Sequence, residues 1–510
     1  MCGIAGEYGP HGTKMATTGM LERLIHRGPD DHGEIRVNGS WLGHRRLSIV
    51  DVDGGRQPLV NASGDTWLVG NGEVYNHEEI RATLQDAPFR THSDNEVALH
   101  LLDERGPAAL TELEGMFAFL VAGSDGSFLA ARDPVGIKPL YWAHDDEGRV
   151  RFASEIAAFE PEWLPRVETF PPGCHWTPEG GLERFSAAVP ASSRATPSGP
   201  WHDAVEPPLE ALRETREALV DSIERQMMGD VPVGVFLSGG LDSSIVAAVA
   251  ARHCERYGNR LQTFAVGSEG SPDLLAARVV AKYLNTDHHE RVYTAREAID
   301  AVAPVVRAIE HFDPSLVRSA VPNYLLAELT AQHVKVVLTG EGADELFAGY
   351  EYLREFSDPE SLQDELVRTV DGLHDLNLQR CDRVTMAHGL EARVPFLDRQ
   401  VIAFALGLPI GWKLSPPGTL EKRLLRSAFS GWLPDEILWR EKAQFGDGSG
   451  AAKMLTEEIT ATVSDAEFER ERYVVDPPLR TREELAYYRI FAEHLPGVRA
   501  EHTVGRFATA

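Results

Sequence analysis

Basic residues are scarce in this chain: 50 Lys and Arg stand against 78 Asp and Glu, a formal net charge of −28 over 510 residues. That deficit leaves no cationic face of the kind nucleic acids and anionic membranes require, although a small anion still fits a local basic pocket. Cysteine is scarce as well. Cys2, Cys174, Cys254 and Cys381 are widely spaced and form no CxxC pair, which excludes a disulfide scaffold and a thiolate zinc cage and points to a reducing, cytoplasmic setting. No apolar run approaches the ~18 residues of a membrane helix. The first residues lack the basic-then-apolar pattern of a secretory signal, and no internal repeat is visible.

What remains is an ordinary globular composition, 43 % hydrophobic and 25 % charged, in a chain too long for one hydrophobic core. Its one compositional break is "VPASSRATPSGPWHDAVEPP", residues 189–208, rich in Pro, Ser and Ala. It reads as a linker between domains spanning 2–188 and 209–510. Before it, short apolar runs such as "TWLVGNGEVYN", "MFAFLVAG" and "SFLAARDPVG" are broken by Gly, Asp and Pro turns, predicting strands with helices only around 17–26 and 94–105 and an α+β layered sandwich. After it, "VPVGVFL", "RLQTFAVG" and "VKVVLTG" are each followed by helix-like sequence. Strands alternating with helices predict an α/β domain with a parallel sheet covered on both faces. From about residue 358 onward the pattern is mainly helical.

Two stretches carry chemistry. "MCGIAGEYGP" places Cys2 at the head of what reads as a buried strand rather than a frayed end; a small buried core residue is the plain alternative. "VFLSGGLDSSIVAAVAA", residues 235–251, runs an apolar strand into Ser238-Gly239-Gly240 and then an alanine-rich helix opened by Asp242 and Ser243. Glycines let a ligand approach the backbone, and the free N–H groups of a helix start favour a phosphate. It lacks the Gly-Lys-Ser/Thr ending of a Walker A loop.

SGGLDSS resembles the pyrophosphate loop of ATP pyrophosphatases, and "LTGEGADELFAGY" (338–350) resembles the second motif of their asparagine synthetase branch. MCGI, "HRGPDD", "RRLSIVD", "NGEVYN" and "SDNE" resemble the glutaminase half of the same enzymes, while "LEARVPFLD" (390–398) and "WREKAQFGDG" (439–448) continue the likeness to the far end. The chain is thus similar throughout to glutamine-dependent asparagine synthetases. The resemblance implies an N-terminal-nucleophile glutaminase sandwich followed by an ATP-pyrophosphatase domain.

It also implies roles. With Met1 removed, the Cys2 thiolate attacks glutamine and its own α-amine, whose ordinary pKa is ~8, serves as base. Arg46 clamps the α-carboxylate, Asp94 holds the α-ammonium, and Asn71 with Gly72 form the oxyanion hole; Leu47, Ser48, Ile49, Val50 and Glu73 complete the glutamine site. ATP falls to Leu237, Ser238, Gly239, Gly240, Asp242, Ser243, Val266, Thr339 and Gly340, with Mg²⁺ on Asp242 and Asp344. Glu341 is implied as the acid–base group and Lys442 as a charge-neutralising lysine. An ammonia conduit between the halves is implied, with small apolar walls. Glutamine, ATP and aspartate are the implied substrates, and a homodimer the implied assembly.

The acceptor region "EHFDPSLVRSAVPNY" (310–324) departs from the family: Ser315-Leu316 stand where relatives carry Thr-Thr, while Arg318 is kept. Ser315 and Arg318 are the expected acceptor contacts. Asparagine synthesis is the leading reading, amination of another carboxylate in specialised metabolism the alternative, and a silent binding protein the third, opposed by the intact Cys2, SGGLDSS and GEGADE.

Overall fold

The computed structural model describes residues 2–9, 19–84, 87–199, 206–415, 418–441 and 452–507. Among the described residues its N-terminal half contains twelve strands in two antiparallel sheets. β1 (Cys2–Tyr8), β2 (Asp31–Val37), β3 (Ser40–Arg46), β4 (Leu59–Val60), β5 (Thr66–Val74) and β6 (Gly115–Gly123) come first. β7 (Phe128–Arg132), β8 (Tyr141–His144), β9 (Val150–Ala153), β10 (Glu168–Thr169), β11 (Cys174–Thr177) and β12 (Gly181–Arg184) follow. One sheet has the order β10-β8-β9-β1-β3-β2 and the other β12-β11-β7-β6-β5-β4. The period-two pattern of the sequence turns one side of each sheet inward, so Ile4, Leu42 and Phe152 of the first meet Val69, Leu120 and Phe128 of the second in one core. Helix Asn95–Arg105 packs Val97 and Leu101 onto the outer face of the second sheet. The helix expected around 17–26 is described from residue 19 as a turn of α-helix, Gly19–Glu22, and a short 3₁₀ segment, Ile25–Arg27.

The C-terminal half is built on β13 (Val233–Phe236), β14 (Gln262–Gly267), β15 (Asp287–Val292), β16 (Val336–Leu338) and β17 (Glu391–Arg393). All four strand pairs are parallel and the order is β15-β14-β13-β16-β17. The chain therefore builds outward from β13 in one direction, then crosses back to place β16 on its other side. Where the strand order reverses, the loops leaving neighbouring strands part and open a crevice. The loops that follow β13 and β16 are SGGLD and TGEGAD, the two stretches singled out in the sequence. Helices cover the sheet, among them Leu241–Arg256, Pro272–Leu284, Ala295–Ile309 and Pro314–Thr330; Thr294 starts the third with a capping box and Asp313 the fourth. From residue 359 onward helices dominate, as expected, apart from the short edge strand β17.

The Pro/Ser-rich connection is not loose throughout. Gln363 donates from its amide to the Ser193 carbonyl at 2.9 Å, and Arg194 pairs with Asp371 at 2.9 Å, so the stretch leaving the first half is tied to the second.

Candidate functional site

The first of two sites lies at the start of β1. Register pairs Cys2 with Arg46 across the β1–β3 ladder, and the Cys2 N–H donates to Asn71 Oδ1 on β5 at 2.9 Å. One residue thus touches both sheets. The thiol is buried, and burial pushes its pKa up, partly offset by the positive amino terminus and by a backbone hydrogen bond from Leu47. His44, paired with Ile4 on the neighbouring strand, is fully buried and its pKa is pushed down to about 3 by desolvation, so it is a poor base.

Around the thiol the sequence candidates converge. The amide nitrogen of Asn71 is buried with no hydrogen-bond partner among the described residues, a donor aimed at nothing the protein supplies. Gly72 has φ +140°, and a Cβ there would sit 1.9 Å from the Met116 carbonyl oxygen, so only glycine fits. Asp94 is buried and fixed to the same strand, accepting from Val74 N–H at 2.7 Å; burial raises its pKa, and that N–H opposes the rise. Arg46 is wrapped by the following turn, donating to the carbonyls of Val50, Asp51 and Val52 at 3.3, 2.6 and 3.0 Å. Leu47, Ser48 and Ile49 are buried beside it.

The second site is the crevice at the strand-order reversal, a cavity of about 690 Å³. Leu237, Ser238, Gly240, Asp242 and Ser243 line it from β13 and the helix after it, and Thr339, Gly340, Glu341 and Asp344 from the loop after β16. Gly239 turns the first loop at φ +73°, where a Cβ would come within 2.5 Å of Ala276 and Ala277. Ser238 N–H donates to Ser243 Oγ at 3.3 Å, drawing the loop over the helix start. Val266, an expected ATP contact, is buried on β14 and is not among the residues lining the cavity. Lys442 lies outside the described residues.

Electrostatics concentrate at the mouth. Asp242 and Asp344 converge on the ammonium of Lys422, at 2.6 and 2.7 Å, and this buried lysine is pushed well above its ordinary pKa by the two carboxylates. Glu341 pairs with Arg380, whose second nitrogen donates to Ser319 Oγ at 2.9 Å. Glu345 is buried on the wall, accepts from the Tyr350 hydroxyl at 2.6 Å, and is raised to about 7 by burial and by neighbouring Asp344.

The two expected acceptor residues part ways in the structure. Helix Pro314–Thr330 brings Ser315, Ser319 and Asn323 to the cavity, a spacing of four residues that keeps one face. Arg318 lies off that face. Its guanidinium donates to Pro314 O at 3.1 Å and pairs with Glu483 at 3.6 Å. The cation beside Glu341 is instead Arg380, which sequence reasoning missed because "LNLQRCDRV" carries no motif. Lys422 was missed for the same reason, a lysine among basic residues in "LEKRLLR".

Comparison with known proteins bears on the same two halves. A glutamine amidotransferase domain model matches residues 1–169, and an asparagine synthase model matches 214–359 and 354–504. Glutamine-hydrolysing asparagine synthetase 2 of Arabidopsis thaliana is 39 % identical over 99 % of this chain and 89 % of its own length. The glutamine-hydrolysing asparagine synthetase B of Escherichia coli is 39 % identical over 93 % of the chain and 87 % of its own. A probable asparagine synthetase of Schizosaccharomyces pombe is 40 % identical over 94 % and 90 %. The chain belongs to the glutamine-hydrolysing asparagine synthetase family.

Between the glutaminase and synthetase halves the sequence implied small apolar walls. Apolar residues of both halves share one core cluster, and charged pairs cross the seam beside it. Arg27 donates to the Cys2 carbonyl at 3.1 Å and to Asp382 of the synthetase half at 2.8 Å. Glu155 pairs with Arg383 at 2.9 Å, and Arg393 faces Glu73 at 3.7 Å.

Proposed function

We propose that this protein makes asparagine, drawing nitrogen from glutamine in its first half and activating aspartate with ATP in its second, and that the halves divide near the 189–208 connection. The observation that carries this reading is the joint presence of the two sites in one chain: a buried N-terminal cysteine tied to an unpartnered Asn71 amide, and a crevice at the sheet's reversal point with paired carboxylates.

Once Met1 is removed, the Cys2 amine takes the thiol proton and the sulfur attacks the side-chain carbonyl of glutamine. The Asn71 amide and the Gly72 N–H hold the oxyanion; the C–N bond then breaks, ammonia leaves, and water releases glutamate from the thioester. Arg46 and Asp94 orient the glutamine backbone end, with Leu47, Ser48, Ile49, Val50 and Glu73 shaping its pocket. In the synthetase half, the side-chain carboxylate of aspartate attacks the α-phosphorus of ATP and pyrophosphate departs. Ammonia then displaces AMP, its surplus proton going to Glu341. Ser238, Gly240 and Ser243 cradle the phosphates.

Asp242 and Asp344 fit a magnesium ion: their carboxylates already converge on one cation, the Lys422 ammonium. When bound, the metal neutralises phosphate oxygens during displacement. Ser315, Ser319 and Arg380 then supply the acceptor's polar contacts in place of Arg318. A reducing cytoplasm suits the unbridged cysteines.

The deciding experiment measures AMP and pyrophosphate with a panel of amino acids, glutamine or ammonia, and the wild type or Cys2→Ala. Aspartate is expected to be the acid that stimulates AMP release; Cys2→Ala is expected to lose glutamine hydrolysis and keep ammonia-driven synthesis. AMP release with another carboxylic acid and none with saturating aspartate moves the enzyme to amination of a different acceptor. ADP as the main product overturns the loop assignment itself.

A further inference from the structure

The seam between the halves contains three charged side chains: Glu73, which shapes the proposed glutamine pocket, and Glu391 and Arg393, which the chemistry above leaves without a task. Glu391 and Arg393 stand on β17, the edge strand of the synthetase sheet, and both are completely buried. Glu73 stands on β5, in the glutaminase half, two residues beyond Asn71, and is 3 % exposed. Arg393 is held from four sides. Its Nε donates to Glu391 Oε1 at 2.6 Å, and its Nη1 donates to the carbonyls of Gln226 and Met228 at 2.7 and 2.5 Å. Its own carbonyl accepts from the Thr339 N–H at 3.0 Å, in the loop that lines the ATP crevice. The remaining nitrogen, Nη2, points across the seam to Glu73 Oε1 at 3.7 Å, and neither it nor Glu73 Oε2 has a hydrogen-bond partner among the described residues. The guanidinium also lies 5.9 Å from the ring of Tyr75, again on the glutaminase side.

A carboxylate buried this deeply keeps its charge only if a cation faces it. The acids Glu391 and Asp94 also act on Glu73, as does the chain's amino terminus. Burial and the two acids push its carboxyl well above the ordinary range; Arg393 and the amino terminus oppose them. The geometry points to Arg393 as a positioning residue for the glutaminase, a group of the synthetase half that orients and keeps ionised the Glu73 carboxylate beside the Cys2 nucleophile, so that the glutamine site is complete only when both halves are docked. Arg393 touches no reacting atom; it acts through Glu73. This inference rests on the reading of the Cys2 pocket as the glutamine site.

The sign of the pH effect follows from that arrangement. With Arg393 neutral or absent, Glu73 takes up a proton at higher pH, so glutamine binding fails earlier on the acid side. Arg393→Met is expected to raise KM for glutamine at least about tenfold, equivalent to ~1.4 kcal/mol, and to move the acid limb of kcat/KM upward by about half a pH unit or more. Ammonia-dependent AMP formation is expected to stay within about twofold, since the lost charge faces the other half. Arg393→Lys keeps a cation and is expected to restore most of both effects. Glu73→Gln makes the second test. If Arg393 works through Glu73, the double variant Arg393→Met/Glu73→Gln is no worse than Glu73→Gln alone, and its acid limb no longer depends on residue 393. An unchanged KM and acid limb in a folded Arg393→Met overturns the proposal, as do losses that multiply in the double variant. Should Arg393→Met fail to fold, the comparison of Arg393→Lys with and without Glu73→Gln reads the same coupling. Loss of glutamine hydrolysis in Cys2→Ala checks the underlying site independently, so failure here and failure there are told apart.

Discussion

At the scale of single residues the synthetase cavity holds a glutamate whose ionisation burial opposes. Glu345 is 3 % exposed and raised to about 7 by burial and by Asp344. In the unfolded chain a glutamate ionises near its ordinary ~4.3. Between those two values the folded protein holds a proton that the unfolded chain has released, so stability falls as pH rises through that window. The ceiling on the effect is about 4 kcal/mol. Urea midpoints of the wild type and Glu345→Gln, compared at pH 5 and pH 7.5, are expected to show a steeper loss in the wild type; parallel losses dispose of the idea. Residues such as Glu345, Arg380 and Lys422 were illegible in the sequence because their chemistry comes from company. A lysine among basic neighbours gives no sign that its ammonium ends between two carboxylates from the starts of two separate helices. Cys2, Asn71, Gly72 and Asp94 were legible because each sits inside a short local motif that the fold keeps together.

Elements impose their own geometry on those residues. Arg318 is an expected acceptor contact because the resemblance keeps an arginine there, but its guanidinium turns to Pro314 O and Glu483, while the four-residue spacing of Ser315, Ser319 and Asn323 overshoots a turn by only about 40° per step. The face that meets the cavity therefore runs through Ser315, Ser319 and Asn323, and periodicity alone would have chosen it had the helix been phased from the cavity side. The loop after β13 is the opposite case, legible because its glycines have a steric cause. At Gly239, φ of +73° and the nearness of Ala276 and Ala277 leave no room for a methyl group. The left-handed conformation costs an L-residue about 1–2 kcal/mol before any clash is counted, and the loop has to move to relieve the contact. Gly239→Ala is expected to cut ATP-dependent AMP formation at least about tenfold, with glutamine hydrolysis unaffected. Both rates can be followed in one preparation. AMP formation at the wild-type rate excludes the rigid-loop account.

For the molecule as a whole, what the sequence revealed was the order of the parts: a strand-rich half, a Pro/Ser-rich connection and a half of alternating strands and helices. What it concealed was the seam, where contacts join residues hundreds of positions apart and follow no local pattern. Asp382, on helix Asn377–Met386, takes two hydrogen bonds from Arg27 across 355 positions of chain, and the Lys138 ammonium stands 3.9 Å away. All three side chains are essentially inaccessible. Without Asp382, Arg27 keeps Glu155 at 2.8 Å as a counter-charge, so the loss falls below the ~3–5 kcal/mol of a fully orphaned buried charge. Asp382→Ala is expected to lower the thermal midpoint by several degrees, and Asp382→Asn, which keeps a hydrogen-bond acceptor, by less. Equal midpoints for all three proteins would mean that water replaces the carboxylate. The position of β17 carries a different implication. It is the last strand of its sheet, and the side chains of Glu391 and Arg393 are covered by the glutaminase, as is the Ala392 carbonyl, which Lys138 reaches at 3.5 Å. A bare terminal strand is a template on which further strands add, and proteins commonly shield it. Here the shield is the partner half of the same chain, so a synthetase half made alone would present an open, sticky rim, and its solubility is a property of the intact polypeptide.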